Sequence, residues 1–129
     1  MLFNRKTFFV IIALLMLLAG CAPEGSPEGV VADYIRAKVD LDADKMRALS
    51  CAAWEADAQL EYESFETLAP ELEDLKCEKS GESGDYALVT CTGAITATYQ
   101  GETRAVDLGE RVYRALQEDG AWKMCGYKD

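Results

Sequence analysis

The chain has 129 residues, with 13 Lys and Arg against 23 Asp and Glu, no His, and a formal charge of −10. A surface that acidic repels phosphate backbones, and no basic cluster relieves it, so nucleic acid is not an expected partner. The lack of histidine removes the commonest general base and, with it, every Ser-His-Asp or Cys-His arrangement.

The chain begins with Arg5 and Lys6, then an uncharged apolar run from Thr7 to Ala19, then the small pair Ala19-Gly20 and Cys21. A membrane-spanning helix needs roughly 20 apolar residues, so the run fits a signal peptide better. Leu18-Ala19-Gly20-Cys21 resembles the lipobox of bacterial lipoproteins. The resemblance implies that the Cys21 thiol is acylated and that the chain is cut just before it. It also implies a lipid-anchored domain on a cell membrane or outer membrane, facing the periplasm or the exterior. Ala22 stands where such lipoproteins carry an Asp when they stay on the inner membrane, which favours the outer one. Each buried CH₂ contributes about 0.8 kcal/mol, so two acyl chains anchor stably. Cleavage removes Arg5 and Lys6 and takes the charge from −10 to −12. The expected organisation is a signal peptide over 1–20, a lipidated cysteine and Pro/Gly/Glu-rich tether over 21–29, and one domain over 30–129.

Ser26-Pro27 predicts a helix start, since Ser caps and Pro tolerates the first helical position. Val30, Val31, Tyr34, Ile35 and Val39 recur at helical spacing, leaving Asp33, Arg36 and Lys38 for the wet side. Asp42 caps a second short helix through Met46 and Leu49. A third runs from Cys51 to about Gln59 and carries Trp54. Residues 60–70 fit helix, strand or loop. Asp40, Asp42 and Asp44 alternate like a calcium loop, but the glycine and distal glutamate of that motif are missing, and capping explains Asp42 better.

Beyond Pro70 the period changes to two, with Leu75 and Cys77 alternating with Lys76 and Glu78. Ser80 to Asp85 forms a turn, Tyr86–Tyr99 a long strand with a bulge or bend at Gly93, and Gln100-Gly101-Glu102 another turn. Val106–Leu116 reads as one strand kinked at Gly109. Asp119-Gly120 turns the chain into a last strand, Ala121–Tyr127, with Trp122 and Met124 on one face and Cys125 and Tyr127 on the other. Helices first and antiparallel strands afterwards predict an α+β fold, with the helices packed on one face of a curved antiparallel sheet.

Four cysteines remain after Cys21, and in an exported domain of this size they read as disulfides. Zinc is disfavoured because there is no Cys-x-x-Cys pair and no His. A turn centred near Gly84 places Cys77 opposite Cys91. Of the three connectivities that four cysteines allow, the expected one adds Cys51–Cys125, tying the end of the second helix to the last strand.

Val30-Val31-Ala32-Asp33-Tyr34-Ile35-Arg36-Ala37, the Asp-led Asp42–Leu49 segment and the closing Tyr113–Cys125 hairpin with Gly120-Ala121-Trp122-Lys123 together resemble the nuclear-transport-factor-2-like superfamily. That superfamily's cone-shaped α+β fold is shared with ketosteroid isomerase. The resemblance covers about two-thirds of the chain after Cys21 and implies a cone whose open end holds a small apolar ligand, and dimerisation through the sheet. Tyr34 sits where the isomerases carry a catalytic Tyr, and Asp57 is at about the spacing of a base. Asp107 does not have the neighbours of the family's site. No acid–base pair is matched, so no catalytic residue, metal or cofactor is assigned. Among the aromatic residues, Tyr34, Trp54, Tyr99, Tyr113 and Trp122 are the candidate pocket, with core filling as the rival role.

The expected function is a non-enzymatic binding domain for an envelope protein or a small apolar ligand. The alternative is an isomerase-like enzyme of the same fold. A binding module requires a cavity without a catalytic pair. An enzyme requires a buried carboxylate facing Tyr34. An assembly role requires a filled core and a self-pairing sheet face.

Overall fold

The computed structural model describes residues 22–129, so the signal segment and Cys21 lie outside the described residues. Ser26 accepts a hydrogen bond from the Gly29 amide at 3.0 Å and starts α1, Pro27–Val39, with Pro27 in its first turn. Asp42 caps α2, Ala43–Ala48, by accepting from the Lys45 amide. A 3₁₀ turn, Ala52–Trp54, leads into α3, Glu55–Phe65, so the third helix runs six residues past Gln59.

Five antiparallel strands follow: β1 Glu71–Ser83, β2 Tyr86–Tyr99, β3 Glu102–Asp107, β4 Val112–Glu118 and β5 Ala121–Tyr127. The span 106–116 is therefore not one strand. A 3₁₀ turn, Leu108–Glu110, breaks it, and Asp107 caps that turn through the Gly109 amide. The break has a topological purpose. One edge of β2 pairs β1 along its length, while the other is shared: Tyr86–Thr90 pair with β4 and Ala94–Tyr99 pair with β3. The three helices pack against this sheet, an α+β architecture.

Gly93 lies opposite an irregularity in β1, where Asp74 and Leu75 occupy the space of one residue between the pairs Glu73–Ala94 and Lys76–Thr92. Its φ is +107°, and a Cβ there would sit 2.5 Å from the Glu73 carbonyl oxygen and 2.7 Å from that of Asp74. Glycine is needed for both reasons. Gly93→Ala is expected to lower the unfolding free energy by more than about 1 kcal/mol, read from the urea midpoint.

The predicted pairing holds: Cys77 faces Cys91 across β1 and β2 after a one-residue register shift between Lys79 and Gly81, and the two are bonded with their Cα atoms 4.1 Å apart. The second disulfide joins Cys51 to Cys125. It reinforces a backbone seam in which the Cys51 amide donates to the Met124 carbonyl and the Met124 amide to the Leu49 carbonyl. Farther along the same edge of β5, Glu24 makes a parallel bridge with Ala121. The Pro/Gly/Glu-rich segment is thus already part of the fold at Glu24.

The core lies between α1 and the sheet and is filled by Val31, Tyr34, Ile35, Met46, Val89, Ile95 and Met124. In β5 the expected alternation fails. Gly126 has φ +95°, and the β4–β5 register shifts between Tyr113 and Ala115. Tyr127 consequently turns inward and packs against the core cluster.

Candidate functional site

Tyr34 and Lys38 are four residues apart on α1, so they share a face one turn apart. That face is the buried one, which overturns the expectation that Lys38 points to solvent: its side chain is 7% exposed. The stripe Val31, Tyr34, Ile35 continues to position 38 at helical spacing, and α3 presents Ala58, Glu61, Tyr62 and Phe65 at the same spacing. Where these stripes meet the end of the sheet, they form one polar cluster around Glu61.

The Lys38 ammonium lies 3.0 Å from Glu61 Oε2, and the Glu61 side chain is 19% exposed. Tyr34 donates its hydroxyl proton to the same oxygen at 2.7 Å. Tyr127 donates to the other oxygen. Trp54 Nε1 donates to the Tyr34 oxygen at 3.2 Å, and Lys38 donates to the Tyr127 oxygen at 3.4 Å. The Lys38 charge also sits 5.6 Å from the Tyr34 ring centre and 5.5 Å from that of Phe65, where ring faces attract it. A buried ion pair persists when its remaining lone pairs are satisfied, and here both carboxylate oxygens are occupied.

Burial raises the Tyr34 and Tyr127 hydroxyls well above their ordinary value of 10, and the Glu61 charge and its hydrogen bonds raise them further. Burial and the same charge push Tyr113 up to about 12. Below pH 10 these hydroxyls are protonated in both folded and unfolded chains. Above it, the unfolded chain releases protons that the folded chain retains, so stability is expected to fall from about pH 10 through the folded values. A tyrosinate absorbance titration with parallel circular dichroism is expected to show three tyrosines ionising only as the fold is lost.

Beside the cluster lies a cavity of about 370 Å³. Lys38, Glu61, Tyr113 and Tyr127 form its polar side, and Phe65, Ile95, Val106 and Leu108 its apolar walls. Exposed Ser64, Asp107, Glu110 and Arg111 stand at the mouth. The Arg111 guanidinium carbon is 4.6 Å above the Tyr127 ring centre. Arg111 makes no ion pair among the described residues.

No family model matches the sequence, and no curated protein does either.

Of the five aromatic residues expected at a pocket, three converge. Tyr113 lines the cavity, fully buried Tyr34 holds Glu61, and Trp54 holds Tyr34 and meets the Tyr127 ring edge-on at 5.5 Å. Tyr99 does not join them: it is 61% exposed at the far end of β2, in a shallow groove with Leu68, Ala97 and Val106. Trp122 is at the opposite end of the sheet, beside Asp85, Leu116 and Gln117. Asp57 is exposed and outside the cavity lining, whereas Asp107 reaches the mouth while engaged as a cap.

Glu61 is a partly buried carboxylate facing Tyr34, the mark set above for an enzyme. Its surroundings differ from those of an isomerase site. An oxyanion hole aims its protons at substrate, whereas the Tyr34 and Tyr127 protons are aimed at Glu61. A general base needs a lone pair aimed at substrate, and three of the roughly four acceptor sites on Glu61 already face two hydroxyls and an ammonium. Among the described residues no group of three acidic or sulfur side chains is placed to hold a metal, and no helix is long and apolar enough to cross a membrane.

Proposed function

We propose that this chain is a lipid-anchored lipoprotein of the bacterial envelope whose nuclear-transport-factor-2-like domain binds a small, mainly apolar ligand without transforming it. The observation that carries the reading is the cavity beside Lys38 and Glu61: apolar on one side and hydrogen-bonded on the other, with the Lys38 and Glu61 charges paired to each other. Pockets that bind small molecules combine apolar walls with a few placed polar groups. Phe65, Ile95, Val106 and Leu108 supply the walls. Arg111, stacked on Tyr127 and without an ion pair among the described residues, supplies a contact for an acidic or polar head at the mouth.

Anilinonaphthalene sulfonate, an aromatic body with one anionic group, is a suitable probe. The secreted Cys21→Ser domain is expected to bind it saturably with one-to-one stoichiometry and enhanced fluorescence. Val106→Trp fills the cavity from a residue that is 46% exposed, so the fold tolerates it, and binding is expected to be lost; because Val106 also borders the groove at exposed Tyr99, Tyr99→Ala is expected to leave binding intact. Unsaturable binding, or binding indifferent to Val106→Trp, contradicts the reading. The isomerase-like alternative draws on Glu61 facing Tyr34. It requires turnover of an enolisable ketone that Glu61→Gln abolishes.

A further inference from the structure

The domain has two distinct ends, and the anchor belongs to one of them. The Glu24 amide donates to the Gly120 carbonyl at 2.9 Å, and the Trp122 amide donates to the Glu24 carbonyl at 3.2 Å. Glu24 is therefore fixed beside the β4–β5 turn. Three peptide units separate it from Cys21, which limits the acylated residue to about 11 Å from Glu24 even when fully extended. A loosely tethered domain would need a far longer free segment to turn over on a membrane.

The β1–β2 turn lies at this same end, because Tyr86 pairs with Leu116 and Leu116 with Lys123. Trp122 and Leu116 occupy the groove between the two turns with Gln117 and Asp85. Tryptophan is favoured where protein meets the polar boundary of a bilayer. Acidic Glu24, Asp85, Glu118 and Asp119 outnumber the cations of this end, Lys123 beside Leu116, Arg114 over the Tyr86 ring and Lys128 near Asp85, so the lipid surface that fits it is zwitterionic rather than anionic.

The cavity mouth is at the other end. Arg111 immediately precedes β4 and Glu118 closes it, a run of seven residues, or about 23 Å at strand rise. Helix α1 gives the same answer independently: it starts at Pro27, next to the anchor, and reaches Lys38 about 17 Å later.

We infer that acylated Cys21 holds the two-turn end of the sheet against a zwitterionic bilayer, so that the Lys38–Glu61 cavity opens away from the membrane. The ligand then arrives from the aqueous compartment rather than laterally from the lipid. This rests on the lipoprotein reading proposed above.

The test uses the full chain, purified from membranes and placed in phosphatidylethanolamine–phosphatidylcholine nanodiscs. A benzophenone amino acid is introduced at exposed Gln117, at exposed Asp85 or at exposed Glu110. Photolysis is expected to give lipid adducts from Gln117 and Asp85 and none from Glu110. Equal yields, or adducts from Glu110 alone, overturn the orientation. Intact mass on the same samples separates the two claims: no acyl mass at Cys21 overturns the lipoprotein reading and the orientation with it. Acylated protein with equal yields overturns the orientation alone.

Discussion

Lys38→Met is expected to lower the unfolding free energy by about 3 kcal/mol, the low end for breaking a buried pair, because Glu61 keeps one edge toward solvent. The loss comes less from the missing attraction than from what remains. Glu61 would be left in a site where burial hinders hydration, held by the Tyr34 and Tyr127 hydroxyls with no cation beside it. Adding Glu61→Gln removes the carboxylate and leaves an oxygen to accept from one tyrosine and an amide to donate to the other. The double variant is therefore expected to regain most of the loss. Glu61→Leu in its place is not expected to do so, since it strands two buried hydroxyls at about 1–3 kcal/mol each. Urea titrations of the four proteins check this. A Lys38→Met domain as stable as the wild type shows that the pair is not structural.

Removing the Cys51–Cys125 bond by paired alanine substitution is expected to cost roughly 4 kcal/mol, against about 3 for Cys77–Cys91, since the closed loops differ in length. The residues are separated by 74 positions in the first bond and 14 in the second. Stability of a domain this size is about 5–15 kcal/mol, so the first change removes a large share of it. The two bonds also differ in what they position. Cys51 precedes the 3₁₀ turn that carries Trp54 and then α3, which delivers Glu61 to the cluster. Hydrogen exchange in α3 is expected to quicken when the Cys51–Cys125 bond is lost and to stay nearly unchanged when Cys77–Cys91 is lost. Equal effects on α3 contradict this division of labour.

Much of the framework was legible because local chemistry and tertiary structure agree. Ser26 and Asp42 cap the helices they precede, Gly93 sits opposite the β1 bulge, and the turn at Gly84 brings Cys77 to within one residue of Cys91, the irregularity between Lys79 and Gly81 completing the pairing. The cluster was harder to see. Lys38 falls on an apolar stripe, and its charge argued for solvent more strongly than its spacing argued for the core. Its partner Glu61 lies in the stretch 60–70, whose helical phase could not be read without knowing that α3 continues to Phe65. A polar residue in register with an apolar stripe was the available signal, and it was present on both helices. Tyr127 was misassigned to a face because the β5 register shift depends on pairing with β4, a long-range property. The division of residues 106–116 into two strands has a similar origin. Only the length of β2, which exceeds what one partner covers, requires that edge to be shared.

The cavity beside Lys38 and Glu61 is expected to hold a ligand. Native mass spectrometry of the Cys21→Ser domain exported through a periplasm, beside its Val106→Trp variant, tests it most directly and also reads whether the sheet supports a dimer. A small mass retained by the first and missing from the second is the predicted result. A domain that carries no added mass in either form, or the same mass in both, contradicts it.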